Sequence, residues 1–599
     1  MSLINYIVSD LKPVKSPAKS FFHSHYCAHR YGISANSKNV AKYIDTNKDD
    51  LQHLWNYSET KYKKYADILG HRLNDIHGTN YSDEFWKRVF SQGLLTYITA
   101  LHQFYIYASE NFNPSIHTCE LLSEKSFHIT NKFEELKDLL TSSNFGQEQL
   151  FSLYIKFFYS GNYPEFDFQI DNINLKKKNN SLIKKFLNLK NYSIKNILNK
   201  IQNLIFKFKN LKSNTVVGIM GSYFEKNHLS YLIEKSSTKI QTIPVLELPE
   251  RNHVDFNKRD LISKTNQEMD DFDKFFFFTL KFLLPKYLLE NFFPSIDNLK
   301  NNLKDYPKLK FIISEGWLGS SSINLFRALA FEESEVKTYY NEHNCFFHPY
   351  VGDMVNFQSD LVDKYLTLGW DCESLKFKKT ASLFPFIIPL KEKKYDILYV
   401  NYPSEPFYEF YSSSYMSSGS KALKQLEFVN KFFKNIPNNT LKKIFYRSYP
   451  RDYFRYGFRY QNELMSHNYL DYVNHVSSFK SKGETCKEQM ASSSLVIIDQ
   501  LSTGYLESLL MNIPTICLID RECLLLNEKY PNFFDDLIEA NIIHTNSESA
   551  SKHFETVHLN PLKWWDMDKT QKLKNRWLSR NFGDPKVMTD YLLELAKNN

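Results

Sequence analysis

The chain has 599 residues, enough for two or three domains, and 42% of them are apolar, enough for buried cores. Its formal charge of +8 is too small to indicate a nucleic-acid-binding protein, although it permits an anionic substrate or a membrane surface. The seven Cys are scattered without a CxxC pair, which argues against a disulfide framework or a zinc site and fits a reducing cytoplasm.

The N-terminal third is predicted to be mostly helical. Residues 4–10 are expected to form an opening strand without the features of a signal peptide. From about 38 to 160, apolar residues recur every three or four positions, as at Tyr62, Tyr65 and Leu69. We expect a helical layer or insertion here. No run of 18 apolar residues occurs in the chain, so a membrane-spanning helix is not expected.

Residues 172–212 form a Lys-rich segment with eleven Lys and no acidic residue. Leu and Ile recur between the Lys residues and give the segment an apolar stripe. Basic amphipathic helices of this kind bind anionic membrane surfaces. The alternative is a solvated helix packed on its own domain, and the sequence leaves both open.

A strand followed by a turn is predicted at 215–222 and another apolar strand at 310–314, with Glu315 directly after the second strand. Two loops concentrate chemically versatile side chains, namely His253, Asp255 and Arg259 in one, and Glu342, His343, His348 and Asp353 in the other. Their spacing matches no standard metal-ligand set. Acid–base chemistry, substrate contacts and purely structural roles remain the alternatives.

A Pro-punctuated linker and a new strand at 397–400 place a domain boundary near 381. Alternating strands and helices continue to about 560, and terminal helices follow the pair Trp564 and Trp565, which we expect to be exposed.

Residues 494–520 have the pattern of a strand, a loop, a helix and a second strand, the repeating unit of doubly wound sheets. Four polar side chains follow the first strand or open the helix, namely Asp499, Ser502, Thr503 and Glu507. Helix N-termini at such strand ends bind anions. The alternative is that Ser502 is an ordinary cap and Glu507 a solvated carboxylate.

A second segment of this kind lies upstream, where a strand at 444–446 leads into Arg447, Tyr449, Pro450 and Arg451. If the two strand ends are adjacent, a guanidinium lies beside a hydroxyl-bearing helix N-terminus. That combination suits a phosphate group.

Two sheet domains followed by a helical tail resemble the GT-B class of glycosyltransferases. The stretches RSYPRDYF (447–454) and DQLSTGYLESLLMNIPTI (499–516), together with the Trp pair, more closely resemble a family of bacterial transferases from surface-polysaccharide and nonulosonic-acid loci. Capsule Kdo transferases and bacterial sialyltransferases are its wider relatives.

The resemblance implies an α/β, GT-B-like fold with two Rossmann-like domains facing a cleft and a large helical insertion in the N-terminal half. Residues 1–380 would form the acceptor-side domain, with the insertion at about 38–212. Residues 381–566 would form the donor domain, and helices in 567–599 would return towards the N-terminal domain.

The resemblance also implies a metal-independent glycosyltransferase, without a cofactor, that uses a nucleotide-sugar donor carrying CMP and an acidic sugar. Tyr449 and Pro450 would replace a His-Pro pair, Arg447 or Arg451 would supply the positive charge, and Ser502 with Thr503 would hold the phosphate. The ribose or base would contact Asp499 or Glu507. A base from the N-terminal domain would be His343, Glu315 or Asp255.

The expected acceptor is a glycan or glycolipid, and nucleic acid is not an expected partner. The expected location is the cytoplasm, at the inner face of the cytoplasmic membrane if the Lys-rich segment binds lipid. Two alternatives remain open, a GT-B enzyme using an NDP-hexose and a non-catalytic glycan-binding scaffold with a degenerate donor site.

Overall fold

A computed structural model describes residues 3–24, 27–28, 31–33, 37–42, 47–169, 212–250, 252–315, 319–343, 346–401, 419–447, 473–475 and 484–598. Apart from Lys212, the Lys-rich segment lies outside the described residues. Tyr449, Pro450 and Arg451 also lie outside them. Across the described ranges, none of the helices is long and apolar enough to cross a membrane.

Helices dominate the described part of the N-terminal third, as the spacing of apolar residues predicts. The helices are α1 (Lys48–His77), α2 (Asp83–Asn111), α3 (Phe133–Ser142) and α4 (Asn144–Phe158). Five short strands accompany them, namely β1 (Ile4–Ile7), β2 (Ser20–Phe22), β3 (His117–Thr118), β4 (Leu121–Leu122) and β5 (Glu165–Phe166). They pair in the order β2-β1-β3 and as β4-β5.

The first large sheet has six parallel strands in the order β11-β10-β9-β8-β6-β7. The strands are β6 (Val217–Met220), β7 (Ile240–Thr242), β8 (Phe311–Ser314), β9 (Lys337–Asn341), β10 (Lys364–Thr367) and β11 (Phe377–Lys379). The helices between them are α5 (Lys226–Lys235), α6 (Phe256–Ile262), α7 (Asp271–Leu283), α8 (Phe292–Leu303), α9 (Ser321–Ser334) and α10 (Met354–Asp360).

The second large sheet also has six parallel strands, in the order β14-β13-β12-β15-β16-β17. The strands are β12 (Tyr395–Val400), β13 (Ile444–Arg447), β14 (Asn474–His475), β15 (Ser493–Ile498), β16 (Thr515–Leu518) and β17 (Ile543–His544). The helices between them are α11 (Gly419–Lys434), α12 (Asn438–Leu441), α13 (Cys486–Ala491), α14 (Thr503–Leu510) and α15 (Asp535–Glu539).

These two strand orders confirm the predicted α/β class with two Rossmann-like sheets. In each sheet the chain starts in the interior, extends to one side and then crosses to the other. The reversal falls between β6 and β8 in the first sheet and between β12 and β15 in the second. Ligands of open parallel sheets bind at the carboxyl ends of the strands beside such a reversal. The fold therefore offers two candidate positions.

Four helices follow the second sheet, namely α16 (Ser547–Val557), α17 (Pro561–Trp565), α18 (Asp568–Asn581) and α19 (Pro585–Lys597). The last of them packs on the first sheet. Met588 and Leu592 belong to the same buried cluster as Val217 of β6 and Ile240 of β7. Lys239 also donates a hydrogen bond from Nζ to the carbonyl of Ala596 over 2.9 Å. The C-terminal helices thus connect the two sheets.

The expectation that the two Trp residues are exposed is wrong. Trp564 is 7% exposed and Trp565 is fully buried. The indole Nε1 of Trp565 donates to Oδ1 of Asn512 over 2.9 Å. Asn512 has a φ of 56° just after α14, the left-handed conformation that Asn tolerates better than most residues. Trp565 therefore secures the end of the helix that begins after Ser502, whereas Trp564 donates its indole N–H to the carbonyl of Ala540.

Candidate active site

The polar edge of the second sheet is centred on Asp499. Val400 of β12 and Ile498 of β15 are direct partners in the sheet, so Asn401 and Asp499 both follow at the point of reversal. Oδ2 of Asp499 accepts hydrogen bonds from Nδ2 of Asn401 over 2.6 Å and from the hydroxyl of Tyr399 over 2.8 Å. The sequence predicted Asp499 but missed Asn401. Asn401 meets the criterion that selected Asp499, because it is also a polar residue directly after an apolar strand.

Arg447 ends β13 and is 7% exposed. The prediction that its strand is adjacent to the strand of Asp499 is wrong, because β12 lies between them and Val400 pairs with both Arg447 and Ile498. Two strand spacings separate the backbones of β13 and β15 by about 10 Å. A ligand that contacts both Arg447 and α14 would lie over the end of β12, and the charge of Arg447 does act on Glu507 of α14.

Helix α14 begins at this edge. Ser502 occupies the N-cap position as predicted, but its side chain accepts no hydrogen bond from the helix. Thr503 is the first helical residue and is half-buried. In the preceding loop, the buried Gln500 has a side-chain oxygen without a hydrogen-bond partner among the described residues. The first turn of α14 thus leaves N–H groups that an anion could bind.

Glu507 is not a solvated carboxylate. It is 7% exposed, and its Oε1 lies 3.3 Å from Nζ of Lys487 on α13. Burial raises the pKa of Glu507 to about 7, while the nearby charges of Lys487 and Arg447 act in the opposite direction. Lys487 also donates to the carbonyl of Pro385 and lies 4.6 Å from the ring centroid of Phe384. Lys487 therefore connects α14 with the linker between the sheets.

Glu315 follows β8 at the reversal of the first sheet. Its side chain is fully buried, and Oε2 accepts a hydrogen bond from the backbone N–H of Tyr223 over 2.9 Å. Oε1 is buried without a partner in the described ranges. Burial raises the pKa of Glu315 to about 8. At neutral pH this carboxyl group is therefore mostly protonated.

Asn341 lies beside Glu315, and His343 follows Asn341 two residues later. Ser314 of β8 pairs with Tyr340 of β9, so Glu315 and Asn341 are neighbours and, by the alternation of strands, share a face. Both polar atoms of the Asn341 side chain and Nδ1 of His343 are buried without partners in the part of the chain that the structure describes. Burial lowers the pKa of His343 to about 4.

The ring centroids of His343 and Tyr223 are 5.1 Å apart. Tyr223 therefore contacts His343 through its ring and Glu315 through its backbone N–H. We refer to Tyr223, Glu315, Asn341 and His343 as the first-sheet cluster. The sequence predicted Glu315 and His343. It gave no reason to select Tyr223 or Asn341, because their position depends on which strands are neighbours.

The structure gives Asp255 a different environment from the other two proposed bases. Its side chain accepts a hydrogen bond from the backbone N–H of Lys258 over 3.2 Å and so caps α6. Its own N–H donates to Oε1 of Glu290, which also forms a buried ion pair with Arg259 at 2.7 Å. These contacts describe a structural role for Asp255.

Glu342, the neighbour of Asn341, is also structural. Its Oε2 accepts hydrogen bonds from Nε1 of Trp370 over 2.6 Å and from the backbone N–H of Leu368 over 3.0 Å. These bonds hold the ends of β9 and β10 together. No group of three or more His, Cys, Asp or Glu among the described residues could hold a metal ion.

The helix that follows β8 has its N-terminus occupied by the protein itself. Glu134 of α3 accepts hydrogen bonds from the backbone N–H and the hydroxyl of Ser321, over 2.9 Å and 2.7 Å. A carboxylate from the helical N-terminal third thus fills the anion position of α9. At the start of α14 in the second sheet, the side chain of the N-cap residue Ser502 makes no hydrogen bond to the helix.

Comparison with known proteins identifies a family. The profile of the LIC12162 family transferases matches residues 7–590. A comparison with curated proteins finds no match.

Among solved structures, the chain is weakly similar to Spinosyn Rhamnosyltransferase SpnG, with 9% identity, a TM-score of 0.29, and coverage of 64% of this chain and 100% of that one. It is similar to MurG of Acinetobacter baumannii with 12% identity, a TM-score of 0.31, and coverage of 64% and 100%. A structure described as trehalose-6-phosphate from E. coli bound with UDP-2-fluoro glucose has 8% identity, a TM-score of 0.35, and coverage of 64% and 99%.

The buried carboxyl of Glu315 predicts a pH-dependent stability. Its pKa is about 8 in the folded protein against an ordinary value of 4.5, so the folded state retains a proton that the unfolded state releases between these values. The stability that this proton provides is present below pH 4.5 and is lost as the pH rises to about 8. Since Gln cannot ionise, Glu315→Gln should raise the apparent Tm relative to wild type more at pH 8.5 than at pH 5.

Thermal unfolding across this pH range measures the effect, with Glu373→Gln, a change at an exposed carboxyl, as the matched control. We expect the control to follow the wild type at every pH, within the small range of ordinary surface substitutions. A difference between Glu315→Gln and wild type that does not change with pH would contradict the assigned protonation.

Proposed function

Because the chain belongs to the LIC12162 family of transferases, we propose that it moves a sugar from a nucleotide-linked donor to a hydroxyl group of a glycan or glycosylated acceptor. The observation that carries the proposal is the contrast between the two sheet edges. The second sheet presents Arg447 and an uncapped helix N-terminus, whereas the first presents Glu315 with a buried, unpartnered oxygen among the described residues. One edge suits a phosphate and the other a hydroxyl.

We assign the donor to the second sheet. Arg447 would stabilise the negative charge of the leaving phosphate, and Ser502 with Thr503 and the first N–H groups of α14 would hold its oxygens. The N-terminus of α9 in the first sheet already accommodates the carboxylate of Glu134. This difference supports the second sheet as the phosphate-binding sheet.

For the donor itself we propose CMP linked to an acidic sugar of the nonulosonic-acid or Kdo type. The support is the Ser502-Thr503 pair at the start of α14 and the resemblance of the surrounding sequence. Asp499 is the candidate contact for ribose or base, with Glu507 the second choice because Lys487 already pairs with it. The roles of Tyr449, Pro450 and Arg451 stay sequence-based predictions. An NDP-hexose donor is the second candidate.

On the acceptor side we propose Glu315 as the general base. A buried carboxylate with a raised pKa is a strong base once it is ionised, and Oε1 is the oxygen that lacks a protein partner in the described ranges. His343 is neutral at pH 7 because burial lowers its pKa, and it is the second candidate. Asp255 is the third, since its carboxylate already caps α6.

A nucleotide-binding measurement tests the donor assignment. CMP should raise the apparent Tm of the full chain more than UDP, GDP or ADP. Replacing Arg447 with Gln removes a charge-assisted hydrogen bond, so CMP affinity should fall about 10- to 100-fold. The matched control is Arg580→Gln, because the Arg580 side chain is 65% exposed and pairs with Asp536.

A preference for UDP would favour a hexose or hexosamine donor instead. If no nucleotide raises the Tm, and nucleotide sugars are not hydrolysed, the chain would be better described as a glycan-binding scaffold. Equal CMP affinity of Arg447→Gln and wild type would contradict the assigned phosphate site.

The base assignment predicts a pH-dependent rate. Acceptor-dependent release of the nucleotide should rise with pH up to about 8, since Glu315 must lose its proton to act as a base. Glu315→Gln should lower this rate by about 10²- to 10⁴-fold and leave nucleotide affinity unchanged. Asp255→Asn keeps a capping side chain and should retain the rate. Loss of activity in Asp255→Asn but not in Glu315→Gln would transfer the role to Asp255.

We also propose, from its sequence, that the Lys-rich segment binds anionic membranes. Full-length protein should co-sediment with vesicles containing phosphatidylglycerol at low salt and dissociate near 0.5 M salt, where the Debye length is about 4 Å. Replacing Lys176, Lys177, Lys178, Lys184 and Lys185 with Gln should abolish sedimentation but not nucleotide binding. Sedimentation of this variant at the wild-type level would contradict the membrane role.

A further inference from the structure

The first-sheet cluster contains four buried polar atoms that have no hydrogen-bond partner in the described part of the chain. They are Oε1 of Glu315, Oδ1 and Nδ2 of Asn341, and Nδ1 of His343. Buried polar atoms of folded proteins are almost always paired, so a group of unpaired atoms on neighbouring strands requires an explanation. Glu315 follows β8 at the reversal of the sheet, where ligands of open parallel sheets bind, and Asn341 and His343 follow the neighbouring strand β9.

The cluster is uncharged at neutral pH. The pKa of Glu315 lies above 7 and that of His343 lies below it, while Asn341 does not ionise. Burial and one backbone N–H account for the pKa shift of Glu315, and burial alone accounts for that of His343. No charged side chain among the described residues contributes to either shift. Among the described residues, therefore, no charged side chain that acts on Glu315 or His343 would offset the charge of a phosphate or carboxylate ligand.

The hydrogen-bonding capacity of the cluster matches hydroxyl groups. The amide of Asn341 offers a donor and an acceptor side by side, which can pair with two neighbouring hydroxyls of a sugar ring. A neutral imidazole and a protonated carboxyl also each offer both a donor and an acceptor. The half-exposed Tyr223 lies against His343 and adds an aromatic face of the kind on which sugar rings stack.

We propose that Asn341 and His343, beside Glu315, bind the acceptor as an uncharged sugar through its hydroxyl groups. That this sugar is the acceptor rests on the proposed function. That the ligand is an uncharged sugar rests on the first-sheet cluster alone. The two sheets would then divide the substrates by charge, with the anionic donor at one edge and a neutral sugar at the other.

Saturation-transfer NMR on the full-length protein without nucleotide tests this proposal. The probes are methyl α-D-glucopyranoside, methyl β-D-galactopyranoside and methyl N-acetyl-β-D-glucosaminide, compared with the charged sugars glucuronate and glucose 6-phosphate. We expect binding of at least one neutral glycoside and weaker binding of the charged sugars. Asn341→Leu should weaken the bound glycoside about ten-fold or more, while Asn301→Leu, a change on the exposed face of α8, should not.

Stability separates a binding role of Asn341 from a structural one. Because Asn341 makes no side-chain hydrogen bond with the described protein, Asn341→Leu breaks none and should leave the Tm unchanged or raise it. His343→Phe keeps the ring against Tyr223, removes both nitrogens and should also weaken glycoside binding. Should Asn341→Leu prove unstable, His343→Phe carries the test.

The proposal is overturned if no neutral glycoside binds, if a charged sugar binds more tightly than the neutral ones, or if both variants bind like the wild type. Nucleotide binding measured on the same samples distinguishes it from the proposed function. Glycoside binding without nucleotide binding would keep the subsite and overturn the proposed transfer. Nucleotide binding without glycoside binding would overturn the subsite alone.

Discussion

Parallel strand pairing is the constraint on which both polar edges depend. A parallel strand must be reached by a crossover, and here helices cover the sheets and all described strands of each large sheet end at one edge. Residues far apart in sequence, such as Asn401 and Asp499 or Glu315 and Asn341, become neighbours because their strands end together. The buried apolar strands behind them fix these positions, so polar groups can remain at the edge with few internal partners.

The two edges use this common geometry with opposite electrostatics. At the second sheet, Arg447 and Lys487 bring positive charge close to Glu507, and α14 begins without a side-chain cap. At the first sheet, Glu134 neutralises the start of α9 and burial keeps the first-sheet cluster uncharged. In the proposed reaction, the charged leaving group would bind at the edge of the second sheet and the nucleophilic hydroxyl at the edge of the first.

The local sequence pattern predicted the strands and helices, and it predicted polar residues at the edge of each large sheet. It did not predict which strands are neighbours. Asp499, Ser502 and Glu315 were found because each follows an apolar strand, and the structure places them there. The insertion of β12 between β13 and β15 could not be predicted, since strand order depends on packing across more than a hundred residues. For the same reason the contacts of Glu507 with Lys487 and of Ser321 with Glu134 were missed. The neighbours of Asp255 in sequence suggested a role in catalysis, but its side chain forms the hydrogen bond of a helix cap.

The most direct test of the central claim, that the second sheet binds the phosphate of the donor, is a crystal structure of the full chain with CMP. We predict that the nucleotide binds across the carboxyl ends of β12 and β15, with its phosphate within hydrogen-bonding distance of Arg447 and of the first N–H groups of α14. A nucleotide bound at the first-sheet cluster, or a phosphate without contact to Arg447 and α14, would contradict it.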